Sequence, residues 1–392
     1  MATSFIRDFF AGGFFMKSAF RAVSIAAVVF AAGSAAFAQA SGSAGQGASG
    51  NAASASGVGS DAAQVEQGAK ASPIDVSAAV FQARMNGFDE RNYRAAVASM
   101  FRAFEKYSGK PLKRGAKGRV GLKIYTNSGA GLATPKNLID AVIAQLEKRG
   151  YKKSDITLVD MSRRKMRECG FLPKLSELQN GASDDYGGVN VADIDGGKFF
   201  DKNWYYDNAL TPKNLKTSTS FREIYDPEIR KSYLPVPLFL TVDYWINLPV
   251  ITDMQGLGVC AAIGNMSIWN MSNNERFLKE PANASMAAAE VCAIPELRET
   301  NVFTLLTFEC GQFVGGSLYN ARFSFSEKLL LLSANPVVLD YIAWQTLNKY
   351  RRANRFAPIE PEPPVLNYCR QLGVGDYDLR SVKRINVPYK VR

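Results

Sequence analysis

Residues 123 to 138 read KIYTNSGAGLATPKNL, and their types and spacing suit the binding of an anion. A strand-like run ends, Gly129 and Gly131 follow in a Gly-x-Gly arrangement, and Thr134 with Pro135 reads as the N-cap and first position of a helix. Such a turn aims free backbone N–H groups outward at the positive end of a helix, where a phosphate or carboxylate can sit. Asp160 closes the next strand, as the ribose-binding acid does in a dinucleotide fold. Against a dinucleotide, Thr134 stands where a third glycine belongs, and Asp160 falls farther on than the usual ~20 residues. A small anionic group, a dinucleotide and a plain structural turn are the three readings of this stretch.

The 392 residues contain no histidine. A Ser-His-Asp triad, a Cys-His pair and His-ligated zinc are therefore excluded, and acid–base work falls to Asp, Glu, Lys, Tyr or Cys. Cys169, Cys260, Cys292, Cys310 and Cys369 form no C-x-x-C pair, so neither a zinc ribbon nor a local iron–sulfur motif is expected. They read as small buried hydrophobes with room for one disulfide. No cofactor and no transition metal are predicted. Asp184, Asp185, Asp193 and Asp195 could hold calcium or magnesium, or form an ordinary solvated acidic loop. The formal net charge is +11, but the basic residues are interspersed with acids. The densest cluster, Arg163, Arg164, Lys165 and Arg167, reads as a solvated helix face without an aromatic-basic module, so nucleic acid is not an expected partner.

The elements that must position these residues alternate. Tyr93, Val97, Met100, Phe101 and Phe104 recur at helical spacing over 89–107. VGLKIY (120–125) is a strand, Leu138, Ile139, Val142, Ile143 and Leu146 mark a helix ending near Gly150, and ITLVD (156–160) is a second strand. Strand, helix and strand in this order predict a βαβ unit with parallel strands. Residues 180–220, rich in Gly, Asp, Asn and Lys, read as long loops. VDYWINLPV (242–250), FTLLTF (303–308) and EKLLLLSA (327–334) are further buried strands, 336–352 is a helix, and 359–365 is an extended connector. The class is α/β: a mostly parallel sheet with helices on both faces, built from βαβ units.

At the front, Lys17 and Arg21 precede an apolar run from Ala22 to Gly33, and Ala36-Phe37-Ala38 fits a small-x-small cleavage site. This predicts a secretory signal region over 1–38, cut after Ala38, and a periplasmic or secreted chain; an uncleaved anchor is the other reading. Residues 39–72, almost all Gly, Ala, Ser and Gln, read as a flexible linker. Residues 73–392 read as one α/β domain with no integral membrane span, since LPVPLFLTVDYWINLPVI (234–251) carries Asp243 and three prolines.

GRVGLKIYTNSGAGLATPKNLIDAVIAQLEKRGYKKSDITLVD, then WINLPVITDMQGLGVCAAIGN, then LLLLSANPVVLDYIAWQTLNKYR with LGVGDYDL follow one another across most of residues 117 to 385. In order and spacing they resemble the domain of unknown function 362 family. That family has no settled biochemical role; many members are exported, some carry ferredoxin-type cysteine clusters, and its fold is distantly similar to that of nickel-pincer lactate racemases. Lys123 matches the family's first-strand Lys. Of the Lys, Asp and His that the resemblance implies in the middle motif, only Asp253 stands here, and a Lys-Asn pair appears as Gly264-Asn265. The family's Asp-Pro-Val-Ala-x-Asp reads Asn335-Pro336-Val337-Val338-Leu339-Asp340, and Thr307 and Ser317 replace an Asp and a Pro. The departures remove ionisable groups and leave shape residues, so an exported protein whose cleft binds a small, anionic ligand with little or no catalysis is one expectation, with Gly129, Gly131, Thr134, Asn265 and Asn335 as binding residues. An active enzyme using Lys123, Asp253 and Asp340 is a second, the Lys acting as base or Schiff-base former beside an Asp. A surface interaction protein using 180–220 is a third.

Overall fold

The computed structural model describes residues 73–197, 200–208, 210, 227–278 and 281–391. The signal region 1–38, the linker 39–72 and residues 198–199, 209 and 211–220 of the 180–220 stretch lie outside the described residues. In chain order the first strands are β1 (Ala79–Arg84), β2 (Val120–Lys123), β3 (Ile156–Asp160), β4 (Asn190–Asp193), β5 (Phe200–Asp207), β6 (Lys231–Pro235) and β7 (Tyr244–Asn247). They are followed by β8 (Ile251–Met254), β9 (Gly258–Cys260), β10 (Asn301–Thr307), β11 (Gly311–Gln312), β12 (Ser324–Phe325), β13 (Leu329–Ser333) and β14 (Lys383–Asn386).

Eight of these form one sheet in the order β14-β1-β13-β10-β7-β2-β3-β4. Strands β10, β7, β2, β3 and β4 run parallel to one another, and β14 runs parallel to β1. Strand β13 runs against both of its neighbours. The fold is α/β with a largely parallel mixed sheet. Alternate strand residues point to opposite faces: Leu122, Ile246 and Leu305 join the core under the helices Glu90–Ser108 and Lys136–Glu147. Trp245 and Leu306 join the core under the helices Ala262–Met266, Pro281–Cys292, Pro336–Ala353 and Pro364–Gln371. Burial on both faces is why β2 reads as an unbroken apolar run up to Lys123. The helix Glu90–Ser108 starts where the Asp89 side chain accepts from the Asn92 N–H and stops at Gly109, whose φ of 68° no β-carbon favours.

The expected βαβ unit is β2, the helix Lys136–Glu147 and β3, with Val120 beside Ile156. From β2 the chain proceeds outward to β3 and β4. After the antiparallel ribbon β5–β6 it returns on the other side of β2, to β7 and then β10. Strand order therefore reverses between β2 and β7, the place where open parallel sheets form a crevice at their carboxyl edge.

Three expectations need correction. Residues 180–220 are not all loop, because β4 and β5 lie there; β4 sits at a sheet edge, and edge strands tolerate polar residues that hide the alternation. Residues 359–365 are not extended throughout: a helix begins at Pro364, since proline fits a helix's first turn. A second sheet, β12-β11-β8-β9, has no counterpart in the sequence reading. No helix of the described residues is long and apolar enough to cross a membrane.

Candidate functional site

A row of buried polar side chains runs from the middle of β10 across the carboxyl ends of the adjacent parallel strands β7, β2 and β3. Thr304 of β10 pairs in register with Asn247 of β7, and Asn247 with Lys123 of β2; Asp160 ends β3 beside them. All four are essentially inaccessible. Lys123 Nζ donates to Asp160 Oδ1 (2.7 Å), to the Ile124 carbonyl (2.7 Å) and to Asn265 Oδ1 (3.0 Å), so each of its three protons has an acceptor. The other Asp160 oxygen accepts from the Thr126 N–H and hydroxyl, both at 2.6 Å. Asn265 Nδ2 donates to Asn247 Oδ1 (2.8 Å), and Asn247 Nδ2 to the Ala262 carbonyl (3.0 Å) and Thr304 Oγ1 (3.1 Å). Burial pulls the Lys123 ammonium below its ordinary value, and the charge of Asp160 works against that pull. The result is a paired, hydrogen-bonded network sealed from water, the form in which a buried charge is tolerated.

Asp160 is thereby committed to Lys123 and Thr126, which removes it as a ribose-binding acid. The glycine turn is likewise occupied. Gly129 has φ 88°, but Gly131 is not in the left-handed region; it is small because a β-carbon there would collide with the Tyr319 ring. Tyr319 N–H donates to the Ser128 carbonyl (3.3 Å), and Cys310 Sγ to that of Gly131 (3.3 Å). The segment 310–319 thus covers the turn where an anion was expected. It turns at the pair Gly315 and Gly316, at φ 110° and 65°. Thr134 is not the helix N-cap. Pro135 holds that position, and Thr134 Oγ1 accepts from the Tyr125 N–H (2.8 Å) while donating to the Leu248 carbonyl (2.6 Å), tying the ends of β2 and β7 together.

The remaining candidates fall into separate places. Asp253 pairs with Arg351 (3.2 Å) and accepts from the Gly316 N–H (2.8 Å), so it latches segment 310–319 instead of meeting Lys123. Asp340 is fully buried, and among the described residues it has no charge partner: the Ile263 N–H donates to Oδ1 at 3.2 Å. Asn335 caps the helix Pro336–Ala353, accepting from the Val337 and Val338 N–H groups at 2.9 and 3.3 Å, and donates to the Asp376 carbonyl (2.6 Å). With Ser77, Arg298 and Asp376 it lines a cleft of about 490 Å³. Because β13 runs antiparallel, Asn335 lies toward the amino edge of the parallel strands, away from the glycine turn with which it was expected to bind a ligand. Of the expected set, only Lys123 and Asn265 touch each other. Asn247 and Thr304 complete the row; a polar residue closing the apolar run YWIN was the one available signal for Asn247.

Other side chains behave more simply. The five cysteines are free thiols, four of them buried. Arg163 and Arg167 both pair with Asp184, and Arg163 also reaches Asp193 (3.4 Å), so these two fold onto the acidic loop, whereas Arg164, largely exposed, and Lys165 pair with Glu168 on their own helix. Among the described residues no three His, Cys, Asp or Glu side chains are placed to hold a metal ion.

No family model matches this sequence, and no curated protein does. A crystal structure of a protein from Thermotoga maritima is similar at 11% identity and a TM-score of 0.31, over 68% of this chain and 59% of that one.

Proposed function

We propose that this protein binds a small polar, anionic ligand at the carboxyl-edge crevice between β2 and β7, with little or no catalysis. The observation that carries this is the reversal of strand order between β2 and β7, with Lys123 and Asn247 side by side at that point. Support for binding without catalysis comes from the dispersal of Lys123, Asp253 and Asp340, each engaged by different protein groups. Ligand entry then requires segment 310–319 to lift from Gly131, through release of Asp253 from Gly316. A relation to the domain of unknown function 362 family is part of the same proposal and rests on the stretches quoted between residues 117 and 385. Export is proposed from residues 16–38 alone; the intact mass of protein from its native host should correspond to a chain beginning at Gln39, and a mass retaining residues 16–38 would refute it.

The binding claim is tested by thermal shift with small carboxylates and phosphates on wild type, Tyr319→Ala and Arg298→Ala. Stabilisation altered by Tyr319→Ala and indifferent to Arg298→Ala is expected. Stabilisation lost in Arg298→Ala would move the site to the amino-edge cleft, and no stabilisation by any probe would remove the proposal.

A further inference from the structure

We propose that Asp340 is a pH-sensitive clasp, joining the first turns of the helix Pro336–Ala353 to the start of the helix Ala262–Met266 and so setting how firmly Asn265 is held over Lys123. Asp340 is wholly buried, and its Oδ1 accepts from the Ile263 N–H. The neighbouring amides of Ala261 and Ala262 also favour its charged form. Its Oδ2 is buried without a hydrogen-bond partner, and among the described residues no Lys or Arg pairs with it. A carboxyl group held in this way is anomalous, since a buried charge is normally paired.

The groups around it are thiols. The charge of Asp340 acts on Cys260 of β9, Cys292 of the helix Pro281–Cys292 and Cys369 of the helix Pro364–Gln371. Burial raises all three, Cys260 to about 12, so they remain neutral across the physiological range. Lys123 and Asp253 act on Cys260 and are engaged elsewhere. Asp340 is therefore the group in this cluster that changes charge near neutrality: burial lifts it from 3.8 to about 7, with the three amides opposing.

The direction follows from linkage. The closed state holds its proton up to about pH 7, whereas a state exposing Asp340 to water releases it near the ordinary 3.8. Closure is fully favoured below about pH 4, weakens as pH rises and levels off above about 7. The gap of about three pH units corresponds to a shift of up to about a thousand-fold in the open-to-closed ratio. The joint that loosens is the one delivering Asn265 to Lys123, whether or not the crevice takes a ligand.

Hydrogen exchange of the full chain at pH 5 to 8.5, corrected for intrinsic exchange, tests this on wild type and Asp340→Asn. Protection of residues 261–266 should fall between pH 5 and about 7 in wild type and then level off, relative to residues 90–108, and should be flat throughout in the variant. The same slope in both proteins would overturn the proposal. If Asp340→Asn does not fold, a carboxyl-carbon NMR titration of Asp-labelled wild type decides: an Asp with a midpoint near 7 that moves together with the Ile263 amide supports the clasp, and its absence overturns it.

Discussion

Replacing Lys123 by Met keeps the length of the side chain and removes its charge. Three acceptors then lose their donor at once: Asp160 Oδ1, the Ile124 carbonyl and Asn265 Oδ1. All lie where water has no access, so the loss is that of a broken buried ion pair, about 3–5 kcal/mol. Against a typical total of 5–15 kcal/mol this is a large fraction of the stability of a domain. Asp160 retains its Thr126 donors and is left as an uncompensated charge, so adding Asp160→Asn to Lys123→Met should recover part of the loss. The double variant should therefore be more stable than the additive expectation by more than about 1 kcal/mol. Urea unfolding at pH 7 of wild type, both single variants and the double variant measures this through the transition midpoint at constant slope. A loss below about 1 kcal/mol for Lys123→Met, or strict additivity, would mean the pair is solvated and would refute the sealed network.

Two further substitutions separate close packing from helix capping. Gly131→Ala should destabilise by about 1–3 kcal/mol through overpacking against Tyr319, and Tyr319→Ala in the same chain should relieve most of it; thermal unfolding of the pair checks this, and no relief would place the strain elsewhere. Thr134→Val should lose about 1–3 kcal/mol by stranding the Tyr125 N–H and the Leu248 carbonyl, whereas Thr134→Ser should be tolerated. Equal loss in Val and Ser would point to the methyl group instead of the hydroxyl.

What could be read in the sequence follows what each residue does locally. β2, β3, β10 and β13 were legible because burial on both faces writes them as apolar runs, and the long helices because one face is apolar at helical spacing. The strands β11 and β12 are two residues each, too short for any periodicity. Strand direction is not local at all, which is why Asn335 was grouped with the glycine turn: nothing in LLLLSANP says that β13 runs against β10. Thr134 misled for a similar reason. Thr-Pro is a sound capping signal, but the Leu248 carbonyl, 114 positions away, captured the hydroxyl. Asn265 emerged from the resemblance, whereas Asn247 and Thr304 lie inside strands whose apolar neighbours dominate. For Gly131 the structure adds a reason for smallness that no local pattern shows: the Tyr319 ring packs where a β-carbon would stand.

The most direct measurement is amide chemical-shift mapping of the full chain during titration with small carboxylates and with inorganic phosphate. Binding at the crevice between β2 and β7 predicts shifts in residues 127–133, 310–319 and 265, growing together to saturation. Shifts confined to Arg298 and Gly373–Asp376, or none at any concentration, would contradict the account.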